Sequence, residues 1–150
     1  MRIVIQRVKK ASVTIEDSIT SSIAKGLLVL VGIEEQDSTE DALWIAQKIL
    51  AMRIFADQDG KMNLDVMQAD GEILVVSQFT LHAQTKKGNR PSFIRAARPE
   101  KAIPIYTYSV EQLQLLSGKH IQTGTFGAMM DVGLINDGPV TIWMDSAAKE

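Results

Sequence analysis

Short apolar runs separated by polar turns fill the first third of the 150-residue chain. The runs lie at residues 3–8, 13–15, 19–23 and 27–32, and the turns between the later ones are Glu16-Asp17-Ser18 and Lys25-Gly26. Short runs rich in Val and Ile and bounded by turn residues are typical of β-strands. The spacing therefore predicts an antiparallel meander at the start of the fold.

Two later segments have helical spacing. The first follows Ser38, an N-cap residue with Asp41 three positions on, as in a capping box. The second starts at Pro99, which suits a first helical position, and is stopped by Gly118. Many strands with two principal helices among them predict a single α+β domain over residues 1–150, with a mainly antiparallel, barrel-like sheet.

An acidic turn at residues 57–60 follows the first predicted helix. Asp57 and Asp59 have the spacing with which a calcium loop begins, but such a loop needs further oxygen ligands and a downstream Glu. Lys61 and the residues after it do not supply them. A plain hairpin turn is the favoured interpretation.

The composition excludes several kinds of site. The chain has no cysteine, which removes disulfides, thiolate nucleophiles and cysteine-based zinc sites. Two histidines without clustered carboxylates make a poor transition-metal site, so we expect no metal and no organic cofactor. The net charge of -2 gives no overall basic signature, and the apolar run at residues 27–33 is far below the ~20 residues of a membrane helix. We expect a cytoplasmic protein that does not associate with membranes.

The segment Ser77-Gln78-Phe79-Thr80 follows an apolar run at residues 73–76 that is typical of a buried strand. The Thr80 hydroxyl is a candidate nucleophile, and Gln78 and main-chain N–H groups are candidate donors to an oxyanion. The alternative is a strand end whose hydroxyls bond to neighbouring backbone groups.

A Thr nucleophile needs a base at neutral pH. His82 lies two positions after Thr80, and in a strand the two side chains would share a face. No third residue is visibly placed to orient His82, so a catalytic triad is poorly supported.

A second segment, residues 136–141, places Gly138-Pro139 between two strand-like runs. Pro139 has no N–H for a sheet, so it marks a turn, an edge or a cis bond. Gly138 tolerates a close approach of another backbone. Spacing alone favours a β-turn between two strands.

The two segments occur together in a chain with several other recognisable stretches. These stretches are residues 1–8, 11–14, 25–32, 87–93, 126–128 and Met130. On these residues, which span essentially the whole chain, the protein resembles the D-aminoacyl-tRNA deacylase family.

The resemblance implies hydrolysis of the ester that joins a D-amino acid to the terminal ribose of tRNA. It also implies a homodimer with active sites at the subunit interface. The site residues it implies are Ser77, Gln78, Phe79 and Thr80 of one subunit, Met130 at the pocket wall, and a cis Gly138-Pro139 unit from the other subunit.

Main-chain carbonyls of Gly138-Pro139 would hold the α-ammonium of the substrate and leave its side chain pointing outward. An L-residue would drive its side chain into this backbone, whatever the side chain is. Glycine has no side chain, so glycyl-tRNA is the expected leak.

Two routes to ester cleavage stay open at this point. In one, Thr80 is a covalent nucleophile, and the missing base argues against it. In the other, the ribose 2′-OH of the substrate activates a water, and a main-chain N–H near Phe79 stabilises the oxyanion. We favour the second route.

A basic segment lies between the two site segments. From Lys86 to Lys101 it contains six Lys and Arg residues, among them Lys87 and Arg90, and only one acid, Glu100. It is a candidate phosphate contact for the tRNA acceptor end, and its alternative is a solvated loop.

Two other function classes are compatible with these residues. One is a non-catalytic RNA-binding module of the same fold. The other is an editing domain for a different mischarged amino acid, similar to that of archaeal threonyl-tRNA synthetases. A panel of D- and L-aminoacyl-tRNAs separates the three.

Overall fold

A computed structural model describes residues 1–149 of the chain. Eight β-strands and two α-helices lie within these residues. Their bounds are β1 Arg2–Ile15, β2 Ser18–Ile23, β3 Gly26–Gly32, α1 Thr39–Ala51, β4 Phe55–Ala56, β5 Met62–Leu64, β6 Glu72–Ser77, α2 Pro99–Ser117, β7 Gln122–Thr123 and β8 Asp131–Asp145.

The long first strand organises the sheet. β1 pairs antiparallel with β3 through its first half and with β2 through its second half, and β8 pairs antiparallel along its other edge. β6 then joins β3, and β7 joins β6, both in parallel. Because β2 also contacts β6 and β7, the sheet curls towards a closed barrel.

The predicted α+β fold with two helices and a barrel-like sheet is confirmed. The sheet is nevertheless mixed, since the pairings of β6 with β3 and β7 are parallel. Parallel neighbours need a long crossover connection. The chain supplies one between β3 and β6 through α1 and the small β4–β5 hairpin.

Both helices begin where the sequence predicted, and the second also ends where it predicted. The capping box at α1 is present, with Ser38 N–H donating to Asp41 Oδ2 at 3.0 Å. α2 starts at Pro99 and ends at Gly118, whose φ of 65° is left-handed. The two helices pack against each other. Neither is long and apolar enough to cross a membrane, and no other helix of residues 1–149 is.

The acidic turn at residues 57–60 joins β4 to β5 as an antiparallel hairpin. Asp57 Oδ1 accepts hydrogen bonds from the N–H groups of Asp59 and Lys61 at 2.9 and 3.0 Å. The carboxylate therefore closes the turn, and the hairpin interpretation is confirmed.

Alternate side chains of β6 enter two apolar clusters. Ile73 and Val75 belong to the larger cluster, which includes the buried faces of the helices. Leu74 and Val76 belong to a smaller cluster against which Met130 packs. This alternation follows from the two-residue period of a strand. It places the end of β6 between both clusters.

The C-terminal segment differs from its prediction. The two strands expected around Gly138-Pro139 are one strand, β8, interrupted by a bulge. Gln6 pairs with Thr141 and Val8 pairs with Asn136, so residues 137–140 have only one residue of β1 opposite them. The segment therefore projects from a strand, and the simple β-turn interpretation is wrong.

Candidate active site

The end of β6 and the turn that follows it form one side of the candidate site. After Ser77, the N–H of Gln78 donates to the carbonyl oxygen of Val31 at 2.6 Å. The chain then turns through a 3-10 helix, Phe79–His82. A Cβ on Gly32 would lie 2.9 Å from the carbonyl oxygen of Gln78, so the turn crosses β3 where only glycine fits.

The Thr80 hydroxyl is held by a neighbouring amide. Gln78 Nε2 donates to Thr80 Oγ1 at 2.5 Å. A donor of this kind stabilises negative charge on the oxygen but takes no proton from it. The arrangement therefore orients Thr80 without activating it as a nucleophile.

His82 is not the base that strand periodicity suggested. Residues 79–82 form a 3-10 turn rather than a strand, so the two-residue period does not apply. The His82 side chain is 0% exposed. Its Nδ1 lies 3.8 Å from Glu34 Oε2, and neither ring nitrogen has a hydrogen-bond partner among residues 1–149. A fully buried ring cannot reach a substrate ester.

A cleft of about 630 Å³ opens beside this strand end. Ser77, Gln78 and Phe79 line it, together with Phe93 and Met130. The Phe79 and Phe93 rings meet edge to face with centroids 5.2 Å apart. The other lining residues are Val31, Ile33, Val76, Ala96, Ala97, Arg98, Pro99, Ala102, Phe126, Gly127, Ala128, Met129 and Val132. The cleft is thus mostly apolar with a polar strand end on one side.

The chain between β7 and β8 supplies another part of the lining. The Phe126 ring packs edge to face on Tyr106 of α2, with centroids 5.6 Å apart. The Tyr106 hydroxyl donates to the carbonyl oxygen of Val75 at 3.0 Å. Burial raises the pKa of Tyr106 to about 12, so the hydroxyl keeps its proton and its bond. This wall is therefore fastened to β6.

Gly138 and Pro139 lie elsewhere on the surface. Both are exposed, and neither lines the cleft formed by residues 1–149 of the same chain. The peptide bond between them is cis. Arg7 supports the base of the bulge: its Nε donates to the carbonyl oxygen of Asp137 at 3.1 Å and its Nη1 to that of Ile54 at 2.5 Å.

The basic segment forms an exposed loop between the turn and α2. Lys86, Lys87 and Arg90 are all exposed. The loop is closed at its base by reciprocal backbone bonds between Gln84 and Ser92 at 2.8 and 3.0 Å. The exposed basic loop therefore leads along the chain into Phe93, which lines the cleft.

Comparison with known families identifies the chain. The model of the D-Tyr-tRNA(Tyr) deacylase family matches residues 4–145. The chain belongs to this family. The resemblance stated from the two segments and their companions is confirmed.

Individual members of the deacylase family align over the full length. A protein named D-aminoacyl-tRNA deacylase from Flavobacterium johnsoniae is 60% identical over 150 residues, covering all of both chains. Its namesake from Akkermansia muciniphila is 59% identical over the same span.

Two solved structures share the deacylase fold. One, named c-Myc DNA Unwinding Element Binding Protein, has a TM-score of 0.92 and 42% identity, and the match covers 99% of this chain and 100% of that one. The other, described as a probable eukaryotic D-amino acid tRNA deacylase, has a TM-score of 0.81 and 16% identity, with 95% and 97% covered.

Sequence reasoning did not predict the interactions that support this candidate site from a distance. Arg7 lies within the recognised stretch 1–8 and Arg95 within the basic segment, but the sequence around these residues and Glu34 does not indicate their partners, which are remote along the chain. Arg95 Nη2 lies 2.7 Å from Glu34 Oε2, which fastens the basic loop to the end of β3.

Proposed function

We propose that this protein hydrolyses the ester between a D-amino acid and the terminal ribose of tRNA, releasing free D-amino acid and tRNA in the cytoplasm. The observation that carries the proposal is that Ser77, Gln78, Phe79 and Met130 line one cleft in a chain of the deacylase family. Its volume of about 630 Å³ is within the range of ligand pockets, about 300–1,000 Å³. An aminoacyl-adenosine end is of suitable size and polarity.

The chemistry we propose uses water rather than an enzyme nucleophile. The first N–H groups of a 3-10 turn have no partner inside the turn, so the one at Phe79, which lines the cleft, is suited to an oxyanion on the scissile carbonyl. Thr80 is not among the residues that line the cleft. The ribose 2′-OH next to the ester activates the attacking water. This route needs no protein base, which agrees with the burial of His82.

We propose that a second copy of the chain completes the site. The Gly138-Pro139 bulge is exposed in one chain and projects from β8, which lies at an edge of the sheet. The same strand exposes the large apolar side chains Leu134, Ile135 and Trp143, with exposed fractions of 37%, 47% and 55%. An edge strand with such side chains is typical of an interface. A homodimer would cover it and place each bulge in the partner's cleft.

The main chain of Gly138-Pro139 would then distinguish D- from L-amino acids on the tRNA. The carbonyl groups of Gly138-Pro139 would bind the α-ammonium, and an L-side chain would meet the peptide unit itself. Rejection of L-residues is therefore steric and independent of side-chain identity. Glycyl-tRNA is the expected slow second substrate.

The decisive experiment is a panel of D-, L- and glycyl-tRNAs prepared with the same tRNA. We expect release of D-tyrosine and other D-residues, slower release of glycine, and no release of the matching L-residues. Equal rates on D- and L-tyrosyl-tRNA would refute stereochemical selection. No release from any charged tRNA would refute the enzyme assignment.

The basic loop is the proposed contact for the tRNA backbone. Replacing Lys86, Lys87 and Arg90 with Gln should weaken tRNA binding and reduce the slope of log affinity against log salt by up to about three. Lys61, exposed in the β4–β5 hairpin, provides a single-site Lys→Gln control. An unchanged salt slope in the triple variant would assign the loop to solubility.

A second candidate function is DNA binding, because one structural relative is named as a protein that binds a DNA unwinding element. The overall charge of -2 and the absence of base-reading motifs in the sequence make it the weaker candidate. A competition assay decides between the two: uncharged tRNA displaces the charged substrate if we are right, whereas a duplex DNA of equal length displaces it better under the alternative.

A further inference from the structure

We infer that Gly124 is a positioning residue, whose missing side chain leaves the space that holds the Met130 thioether at the cleft wall. The inference rests on the proposed function only for its effect on catalysis. It concerns a glycine next to β7 that does not itself line the cleft.

The contact is direct. A Cβ built on Gly124 would lie 2.7 Å from Met130 Sδ and 3.7 Å from Met130 Cε. Gly124 is not among the glycines with positive φ, so the backbone does not require glycine at this position. Glycine is therefore needed here for space. The space it leaves is filled by the thioether.

The Gly124 backbone is pinned in place. Its N–H donates to the carbonyl oxygen of Val75 at 3.0 Å, and the same oxygen accepts the buried Tyr106 hydroxyl at 3.0 Å. One residue earlier, Thr123 pairs with Val75 in the parallel ladder. A methyl group added at Gly124 is therefore attached to a backbone that these hydrogen bonds hold in place.

Met130 is the partner that moves. Its side chain is flexible and half-buried, and it packs against the cluster containing Val76, which is 1% exposed. The Cβ at Gly124 would also lie 3.7 Å from Val76 Cγ1, so the space on that side is already filled. The open direction is the cleft. Gly124→Ala therefore pushes the thioether towards the space that the substrate occupies.

The test is a double-mutant cycle of Gly124→Ala, Met130→Ala and the double variant, assayed on D-tyrosyl-tRNA. We expect Gly124→Ala to lower kcat/KM about 10- to 100-fold, mainly through KM, because displacements near 1 Å cost this much. In the Met130→Ala background the same substitution should change kcat/KM less than about 2-fold. An equal loss in both backgrounds overturns the inference.

A second readout does not depend on activity. In protein labelled with 13C at the methionine methyl groups, Gly124→Ala should shift the Met130 resonance, which Met130→Ala identifies. The exposed neighbour Thr125→Ala should leave it in place. If wild-type protein releases no D-tyrosine, the proposed function fails while this shift still decides the packing. An unmoved resonance overturns the inference.

Folding failure is also informative. If Gly124→Ala is unfolded and the double variant is folded, loss of the Met130 side chain has relieved the clash, which supports the inference. If both are unfolded, the new methyl clashes with something other than Met130, and the inference is wrong.

Discussion

Two regions of this molecule, the turn after β6 and the bulge in β8, are held in place in different ways. The turn after β6 is held by its own chain: Gln78 N–H bonds to Val31, Arg2 Nη1 bonds to the Leu81 carbonyl oxygen at 3.1 Å, and His82 is fully buried beneath it. Among residues 1–149, the bonds that hold the bulge at residues 137–140 lie at its base, from Arg7 Nε to the Asp137 carbonyl oxygen and from Val140 N–H to Asn136 Oδ1, and its tip is exposed.

The difference indicates a division of labour. A turn fixed from three sides offers N–H groups in constant positions, as oxyanion stabilisation requires. A projecting bulge with a rigid base offers a shape for another surface to receive. Reaction and stereochemical selection are thus assigned to separate elements, which in our proposal meet only when two chains associate.

The largest effect is expected at the tip of the bulge. Gly138 has a φ of 132°, which L-residues rarely adopt, and a Cβ would lie 2.9 Å from Val140 Cγ2 and 3.0 Å from Arg7 Nη2. Gly138→Ala should therefore reshape the bulge and lower kcat/KM on D-tyrosyl-tRNA about 10²-fold. Steady-state deacylation measures this, with circular dichroism as the folding control.

Subunit mixing shows which chain the bulge serves. Ala128→Trp fills the cleft and leaves the bulge intact. Gly138→Ala reshapes the bulge and leaves the cleft intact. Two inactive variants refolded together should recover about a quarter of wild-type activity, because half of randomly formed dimers contain one intact site. No recovery would mean that bulge and cleft act within one chain.

A smaller effect is expected at the base of the bulge. Lysine has one ammonium, so Arg7→Lys cannot replace two guanidinium bonds that run to Asp137 and Ile54 in different directions. We expect kcat/KM to fall about 10-fold, below the effect of changing the tip.

Arg53→Lys is the matched control for Arg7→Lys. Arg53 lies at an exposed position just before β4, and its Nε and Nη2 donate to Asn63 of β5 rather than to the bulge. Its replacement should leave kcat/KM unchanged. Equal losses in the two variants would show that Arg7 supports general stability rather than the bulge.

The next effect concerns stability and its pH dependence. Asp145 at the end of β8 accepts from Arg2 Nε at 2.9 Å, and Arg2 in turn holds the turn at Leu81. Burial acts to raise the pKa of Asp145, but the bonds from Arg2 and the Ala147 N–H, with the N-terminal ammonium, bring it below its usual value. Asp145→Asn should lower the free energy of unfolding at pH 7 by about 1–3 kcal/mol.

The sign of the pH effect follows from the lowered pKa. The stability that the carboxylate contributes is fully present above about pH 4, near the unfolded pKa, and is lost as pH falls through the folded pKa. Denaturant titrations at pH 7 and pH 3 should show the deficit of Asp145→Asn shrinking. Asp70→Asn is the control, since this carboxylate is 94% exposed beside Lys119 and should matter little. A constant deficit would contradict the assignment.

Local patterns predicted the parts of the fold that depend on neighbours in sequence. The capping box at Ser38, the start of α2 at Pro99 and the hairpin at Asp57 are each specified within a few residues, and each was right. The parallel pairing of β3 with β6 was missed because no local pattern records which strand lies beside which. The 3-10 turn at residues 79–82 was missed because Gly32, remote along the chain, makes room for it.

The candidate site divides in the same way. Motif residues such as Gln78 and Met130 were named from the sequence, and the structure places them on one cleft. Their supports, including Arg7 and Tyr106, act through single bonds to distant backbone carbonyls. A lone Arg in a strand or a lone Tyr in a helix resembles any other until the partner carbonyl is known.

The smallest effect is expected at the hydroxyl that looks most like a nucleophile. Thr80→Val keeps the shape of the side chain and removes the oxygen that accepts from Gln78. If water attacks the ester and main-chain N–H groups stabilise the oxyanion, kcat should stay within about 10-fold of wild type, whereas loss of a catalytic base or nucleophile costs about 10²–10⁴-fold or more. Single-turnover deacylation measures the chemical step.

Gln78→Ala serves as the companion variant, because a nucleophilic Thr80 would lose its orientation there too. Large losses in both variants, with a covalent D-aminoacyl enzyme trapped in the wild type, would transfer the reaction from the main chain to Thr80.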